Sequence, residues 1–401
     1  MSTPARLKLN QVFGIHMPDA TRIDRAKSPE VASVAAALPR PGWLIRFWGP
    51  SKSGKTVLSK QVMEDAGLTP IAIHGVNIDN IANFWIEIAF NARQALPEIR
   101  EPLSAFDERR ILEYCHVSRR PLLIDDFHRI PTNTQRAILR KLKSFMDKHI
   151  TVILISVADV AGDIIKGDRD LQNDFHQRTE AVRAPLWTID QLTQIASRGF
   201  KALGMGIAPE VVATLTHHAF RNPLLMQQYC EELSRELSVP ETLQPARSLP
   251  VTAPVLRKIF EHVAGRESAR YVRIWSDGGR PHYQLKTANR ANILTLILLG
   301  ISHIAMVTPV RPSTVRREIR DLLADPADLP PLPDVTTAAE ELVERAQQVL
   351  GRELSVGLIQ NRLYILHPFF KIYLLWILAP QFTGAYPDIE RYVEKEIVEA
   401  A

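Results

Sequence analysis

Short apolar runs and longer amphipathic stretches alternate through the first half of the chain. Trp43-Leu44-Ile45-Arg46-Phe47-Trp48, residues 70–74, Pro121-Leu122-Leu123-Ile124-Asp125 and residues 150–157 are apolar and of strand length. Residues 57–66, 83–95, 103–118 and 134–148 instead repeat apolar positions at helical spacing. Strands without a polar face, each followed by a helix, predict a parallel sheet covered by helices. A short helix over 32–38 would feed the first strand. Beyond Pro185 the pattern changes, and residues 188–203, 209–219 and 223–237 predict helices with capping signals and no strand between them. Pro240, Pro245, Pro250 and Pro254 mark a linker. Residues 289–302, 313–323 and 336–350 then predict three helices, and 356–358 and 363–366 predict a hairpin about Gln360-Asn361. Three helices and a two-stranded wing is the order of a winged helix. The predicted divisions are a lead-in (1–40), an α/β core (41–186), a helical subdomain or lid (187–240), a linker (241–285), a winged helix (286–380) and a tail (381–401). The apolar stretch 293–307 falls short of the ~20 residues a membrane span needs and contains Ser302 and His303, so it predicts a buried helix.

The loop after the first strand carries the chemistry. Gly49-Pro50-Ser51-Lys52-Ser53-Gly54-Lys55-Thr56 matches the G-x-x-x-x-G-K-[ST] pattern of a phosphate cradle. Its glycines allow a tight wrap that turns backbone N–H groups toward an anion. Lys55 is placed to reach the β- and γ-phosphates of ATP, and the Thr56 hydroxyl to meet Mg²⁺. The helix from Val57 adds the partial positive charge of its N-terminus.

A metal carboxylate is expected on a second strand, and Leu122-Leu123-Ile124 ends in Asp125-Asp126. Open α/β sheets place ligands at this C-terminal edge. Asp125 is the candidate Mg²⁺ carboxylate, largely through the ion's water shell. Asp126 is the candidate for orienting or deprotonating the attacking water. The competing reading makes one Asp a cap and leaves the other in solvent. Ser156, ending the neighbouring strand, could sense the γ-phosphate, with Asp159 as its alternative; a plain strand-end hydroxyl is the competing reading.

Composition adjusts this picture only slightly. At roughly 150 residues per domain, 401 residues suggest two or three domains. Two cysteines, Cys115 and Cys230, build no disulfide framework and point to a reducing, cytoplasmic setting. The N-terminus lacks an apolar signal segment. A net charge of +5 permits nucleic-acid contact without demanding it. In the predicted third winged-helix helix, Glu340, Glu341 and Glu344 face one Arg345, which makes a poor DNA reader. Arg311, Arg316, Arg317 and Arg320 make the preceding helix more basic.

The chain resembles the STAND branch of AAA+-related P-loop ATPases, especially prokaryotic defence-type members, over roughly residues 10–380. The resemblance rests on residues 49–58, Asn83-Phe84-Trp85, Leu123-Ile124-Asp125-Asp126-Phe127-His128 and Arg178 ahead of Ala184-Pro185-Leu186-Trp187. It extends through Asn222-Pro223 with Met226-Gln227-Gln228 to Leu363-Tyr364-Ile365-Leu366-His367-Pro368-Phe369-Phe370-Lys371-Ile372-Tyr373, where many relatives carry Asp-Pro-Phe-Phe. It implies a cytoplasmic switch that ATP and Mg²⁺ open for self-association and ADP closes, with slow regulatory hydrolysis. It further implies Arg178 near the transferring phosphoryl group in cis or across a subunit boundary, Pro223 on the adenine or ribose, and His367 on the β-phosphate of ADP. The plainer readings are a surface ion pair, a helix-start proline and a core histidine. Relatives often carry a fused effector ahead of the ATPase, for which this chain has no room; that points to an effector supplied in trans, in prokaryotic immunity. The alternatives are a DNA-associated AAA+ regulator similar to those that direct transposases, faintly suggested by Gln172-Asn173-Asp174-Phe175, and a nucleotide-bound scaffold that does not hydrolyse.

Overall fold

A computed structural model describes residues 6–14, 23, 25, 28–95, 107–157, 159–276, 282–302, 304, 310–350, 356–359, 362–365, 367–387 and 389. The chain divides into two compact units, one of Asp24–Leu186 and one of Met1–Ile23 with Trp187–Ala401.

The Asp24–Leu186 unit contains α2 (Pro29–Ala37), β1 (Leu44–Trp48), α3 (Lys55–Asp65), β2 (Ile71–His74), α4 (Ile81–Ala95), α5 (Glu108–Ser118), β3 (Leu122–Asp125), α6 (Thr132–Asp147), β4 (Val152–Ser156), α7 (Val160–Lys166), α8 (Arg169–Phe175) and β5 (Thr179–Arg183); the one-turn α1 (Leu9–Val12) precedes them in the other unit. The five strands are parallel in the order β2-β3-β4-β1-β5. Alternate residues feed two different cores. Leu122 and Ile124 of β3, with Val152 and Leu154 of β4, pack toward α4–α8, while Leu123, Ile153 and Ile155 pack with Val31, Val34, Leu58 and Val62 of α2 and α3. That two-sided burial is why these strands read as continuous apolar runs. Register brings the C-terminal ends of the central strands level, with Trp48 opposite Ser156 and His74 opposite Asp125.

Three elements of this unit escape the hydrophobic pattern. β5 reads Thr-Glu-Ala-Val-Arg and buries only Val182, because it is an edge strand. α7 and α8 are short helices defined by their caps, Asp159 and Asp168. The first residues of the helix predicted over 103–118 lie outside the described residues.

The second unit continues with α9 (Ile189–Ala202), β6 (Met205–Gly206), α10 (Pro209–His218), α11 (Pro223–Glu236), β7 (Arg247–Ser248), α12 (Ala253–Gly265), α13 (Ser268–Trp275), β8 (His282–Gln284), β9 (Arg290–Asn292), α14 (Ile293–Ser302), α15 (Pro312–Leu322), α16 (Leu332–Leu350), β10 (Val356–Ile359), β11 (Arg362–Ile365), α17 (Pro368–Tyr373), a π-helical stretch Leu374–Leu378 and α18 (Ala379–Thr383). The reading of 241–285 as a linker is corrected here. Two amphipathic helices occupy it, and Pro254 falls within the first turn of α12, where a proline costs nothing. α12 joins the earlier helices to the later ones. Phe260 stacks 4.8 Å from Trp376, lies 4.9 Å from Tyr229 and 4.5 Å from His218. A single continuous core results, running from Leu9 to Ile389. Phe13, in the lead-in, packs edge-on against Phe200 at 5.4 Å, and the Leu9 N–H donates to the Pro240 carbonyl at 2.8 Å.

β10 and β11 pair antiparallel, and Val310 adds a third extended segment by exchanging 2.8 and 2.9 Å hydrogen bonds with Leu363. Gln360-Asn361, Leu366 and His303 lie outside the described residues. Lys371 is buried, and its ammonium donates to the carbonyls of Ile301, Ser302 and Ile304 at 2.8–3.0 Å, closing the end of α14. Among the described residues no helix is long and apolar enough to cross a membrane.

Burial pushes the His218 imidazole down to about 3, with His217 a smaller contributor. The unfolded chain titrates near 6.5, so between pH 6.5 and 3 it binds a proton that the folded chain refuses. Stability is therefore expected to fall as pH drops through that window, by up to ~1.4 kcal/mol per pH unit from this residue. His218→Phe should flatten that slope in urea titrations at pH 7, 6 and 5. Parallel slopes for the two proteins would refute the assignment.

Candidate phosphate-binding site

The cradle is built where β1 ends and α3 begins. Lys52 and Gly54 both adopt left-handed backbone, at φ 58° and 84°. Gly54 occupies the N-cap of α3, where a side chain would be strained whatever space surrounds it. The turn brings Lys55 inward, leaving it 8 % exposed. Its Nζ donates to the Gly49 and Pro50 carbonyls at 2.9 and 2.7 Å. Burial lowers its pKa to about 8, opposed in part by Asp125 and Asp126. The Ser59 hydroxyl donates back to the Lys55 carbonyl at 2.8 Å and stiffens the first turn. Val57 lies exposed beside it.

Asp125 closes the other side of the site. It is 7 % exposed at the end of β3, and its Oδ2 accepts from the Thr56 hydroxyl at 2.7 Å. Its Oδ1 accepts from the Asp126 N–H at 2.9 Å. A hydroxyl and a carboxylate in contact form a hard oxygen donor set that suits Mg²⁺, so Thr56 and Asp125 would hold that ion, which would supply charge neutralisation at the phosphates.

Asp126 differs from its neighbour in backbone and surroundings. It is left-handed at φ 54°, precedes a 3-10 turn over Phe127–Arg129, and exposes 43 % of its side chain 3.4 Å from the Arg129 Nε. His128 follows, its pKa pushed down to about 4 by burial, so it is neutral at pH 7. The fold thus separates a buried carboxylate from an accessible one.

The structure gathers residues 49–57, Asp125, Asp126 and Ser156 at one edge of the sheet. Ser156 is buried, and its carbonyl accepts from the Gly49 N–H at 3.2 Å. It also brings in Arg25, which the sequence gave no reason to choose. Arg25 is buried, with its pKa lowered to about 10 by burial. Its guanidinium donates to the Ser53 carbonyl at 3.2 Å and to the Pro185 carbonyl.

Two assignments are corrected. Arg178 lies before β5, at the opposite end of the sheet, where its carbonyl accepts from Leu44 N–H at 2.8 Å. With β1 rising ~3.3 Å per residue, roughly 13 Å of strand separate it from the cradle. Its guanidinium, 53 % exposed, pairs with Asp147 at 3.3 Å, so it does not serve the phosphates of its own chain. Asp159 is committed elsewhere: its carboxylate caps α7 and binds Arg46. Pro223 and His367 belong to the other unit. Pro223 is buried at the start of α11 behind the Asn222 cap, which accepts from the Leu224 and Leu225 N–H groups. His367 precedes α17 with its Nδ1 3.2 Å from the Tyr271 hydroxyl.

No protein-family model matches the chain, and no curated protein matches it. Among solved structures, a Walker-type ATPase of Pyrococcus abyssi aligns with a TM-score of 0.56 at 14 % identity, over 90 % of this chain and 99 % of that one. The ORC2 protein of Aeropyrum pernix, in ADPNP–ADP complexes, aligns with a TM-score of 0.51 at 13 % identity, over 97 % of this chain and 98 % of that one. The fold is that of AAA+-related P-loop ATPases.

Lys55→Ala should weaken ATP binding about 100-fold or more, because it removes charged donors from a water-poor loop. Calorimetric titration checks this. Wild-type affinity in the variant would refute the cradle assignment.

Proposed function

We propose that the chain is an ATP-driven, Mg²⁺-dependent molecular switch of STAND type that self-associates in its ATP state and controls an effector supplied in trans. The observation that carries this reading is the convergence of buried Lys55 with the Thr56–Asp125 contact, leaving Asp126 accessible beside it. The likeness to a protein solved with ADPNP and ADP supports an adenine nucleotide. In this reading Lys55 neutralises phosphate charge and Asp126 orients and deprotonates the attacking water. Ser156 senses the γ-phosphate. Residues 41–186 are the ATPase core and 187–240 its lid, with Pro223 against the adenine or ribose. Residues 286–380 are a winged helix that regulates, His367 holding the ADP-bound closed form. Arg178, remote from its own cradle, would act only across a subunit boundary. Slow hydrolysis resets the switch, in a cytoplasmic, prokaryotic immune setting.

A DNA-associated AAA+ regulator is the second reading. Exposed Arg311, Arg317 and Arg320 on and before α15 favour it. The exposed Glu340 and Glu344 on α16 oppose the use of that helix as a groove reader.

Light scattering should show a larger species with ATP and Mg²⁺, or with a slowly hydrolysed analogue, than with ADP. One mass throughout, with partner proteins present, would refute the switch. Fluorescence anisotropy on duplex DNA separates the readings: tight, salt-sensitive binding favours the second.

Asp126→Asn should keep nucleotide and Mg²⁺ binding while turnover falls about 100-fold, and it should accumulate the assembled form. Asp125→Asn should instead raise the Mg²⁺ concentration needed for binding, since an amide is a poorer ligand for a hard cation. Normal hydrolysis by Asp126→Asn would make that carboxylate structural.

A further inference from the structure

Arg46 stands where the strand pattern calls for an apolar residue. It alternates with Leu44 on the face of β1 that packs toward α7, and only 13 % of its side chain is exposed. Its guanidinium spans three elements. Nε donates to the Thr179 hydroxyl at the start of β5, at 3.2 Å, and Nη1 donates to Asp159 Oδ2. The other Asp159 oxygen accepts from Gly162 N–H at 3.0 Å, and the Asp159 carbonyl accepts from Asp163 N–H at 3.0 Å. Gly162 completes the arrangement, because a Cβ there would collide with both Arg46 Nη1 and Asp159 Oδ2. One ion pair therefore anchors α7 and the short connection from Ser156 to the strand that leads into the phosphate loop.

We propose that the Arg46–Asp159 pair is a positioning device for hydrolysis: it fixes the segment after β4, and with it Ser156, against the phosphate loop, and neither residue touches the nucleotide. The inference rests on the ATPase reading given above. It follows from what holds each part of the site. Nucleotide affinity comes from Lys55 and the loop after β1, which the strand pairings on both sides of β1 keep in place. The β4 edge has a different support. Ser156 meets the loop through a single backbone hydrogen bond to Gly49, and the next anchored residue along the chain is Asp159. Releasing that anchor leaves the nucleotide bound and the catalytic geometry loose, and displacements near 1 Å are enough to cost about 100-fold in rate.

The test compares full-length Arg46→Met/Asp159→Asn, which strands no charge, with Asp159→Asn and Gly162→Ala, which displaces the guanidinium without removing it. In the double variant ATP affinity should stay within about threefold of wild type, turnover should fall about tenfold or more, and amide exchange over residues 157–163 should speed up. Gly162→Ala should reproduce this split. Wild-type turnover together with wild-type exchange in a folded double variant overturns the proposal. A wild-type protein that never hydrolyses ATP would instead remove the ATPase reading, and exchange over 157–163 alone would then decide whether the pair holds the segment.

Discussion

Lys55 carries its charge into the interior of a loop that offers it only carbonyl oxygens. The Gly49 and Pro50 carbonyls satisfy its hydrogen bonds but not its charge, and desolvation weakens its hold on the proton. Every neighbouring feature of the site answers that constraint. Asp125 and Asp126 oppose the desolvation from the end of β3. Arg25 adds a second buried cation on the outer side of the same loop. Two buried cations around one turn create a place whose electrostatics improve when an anion arrives, and the helix behind the turn contributes in the same sense.

The sheet makes this local arrangement possible. Placing β1 between β4 and β5, with β3 beyond β4, levels Trp48 with Ser156 and brings the end of β3 to the same edge. The adjacent carboxylates diverge because of backbone alone. Asp125 is the last residue of a buried strand, while Asp126 turns left-handed and opens toward solvent. Two neighbours of identical chemistry acquire opposite accessibility from one change in φ.

What the sequence disclosed was local. Gly49–Thr56 is recognisable because every constraint on it lies within one turn, and 121–125 because a strand buried on both faces has no polar alternation to confuse the reading. What it hid was tertiary. β5 is polar because it is an edge. Pro254 marks a linker in isolation and a helix start once Phe260 has a core to enter. Arg178 lies close in the chain to Ala184 but at the other end of its strand, a distinction only the sheet supplies. Arg25 had no local signature, since its partners Ser53 and Pro185 are distant in sequence and are backbone carbonyls, which any residue type presents.

The packing of Phe13 on Phe200 gives the chain an unusual economy of folding. Because Leu9, Val12 and Phe13 share the core that later receives Phe260 and Trp376, the unit that begins the polypeptide is also the one that ends it, and the nucleotide-binding unit is threaded through it as an insertion. During synthesis the first apolar residues to emerge therefore wait, unburied, until the whole inserted unit has been made. A fragment starting at Trp187 would carry the complementary defect, an apolar seat on α9 with nothing to fill it. Any dissection of this protein into its working parts must return residues 6–14 to the helical part.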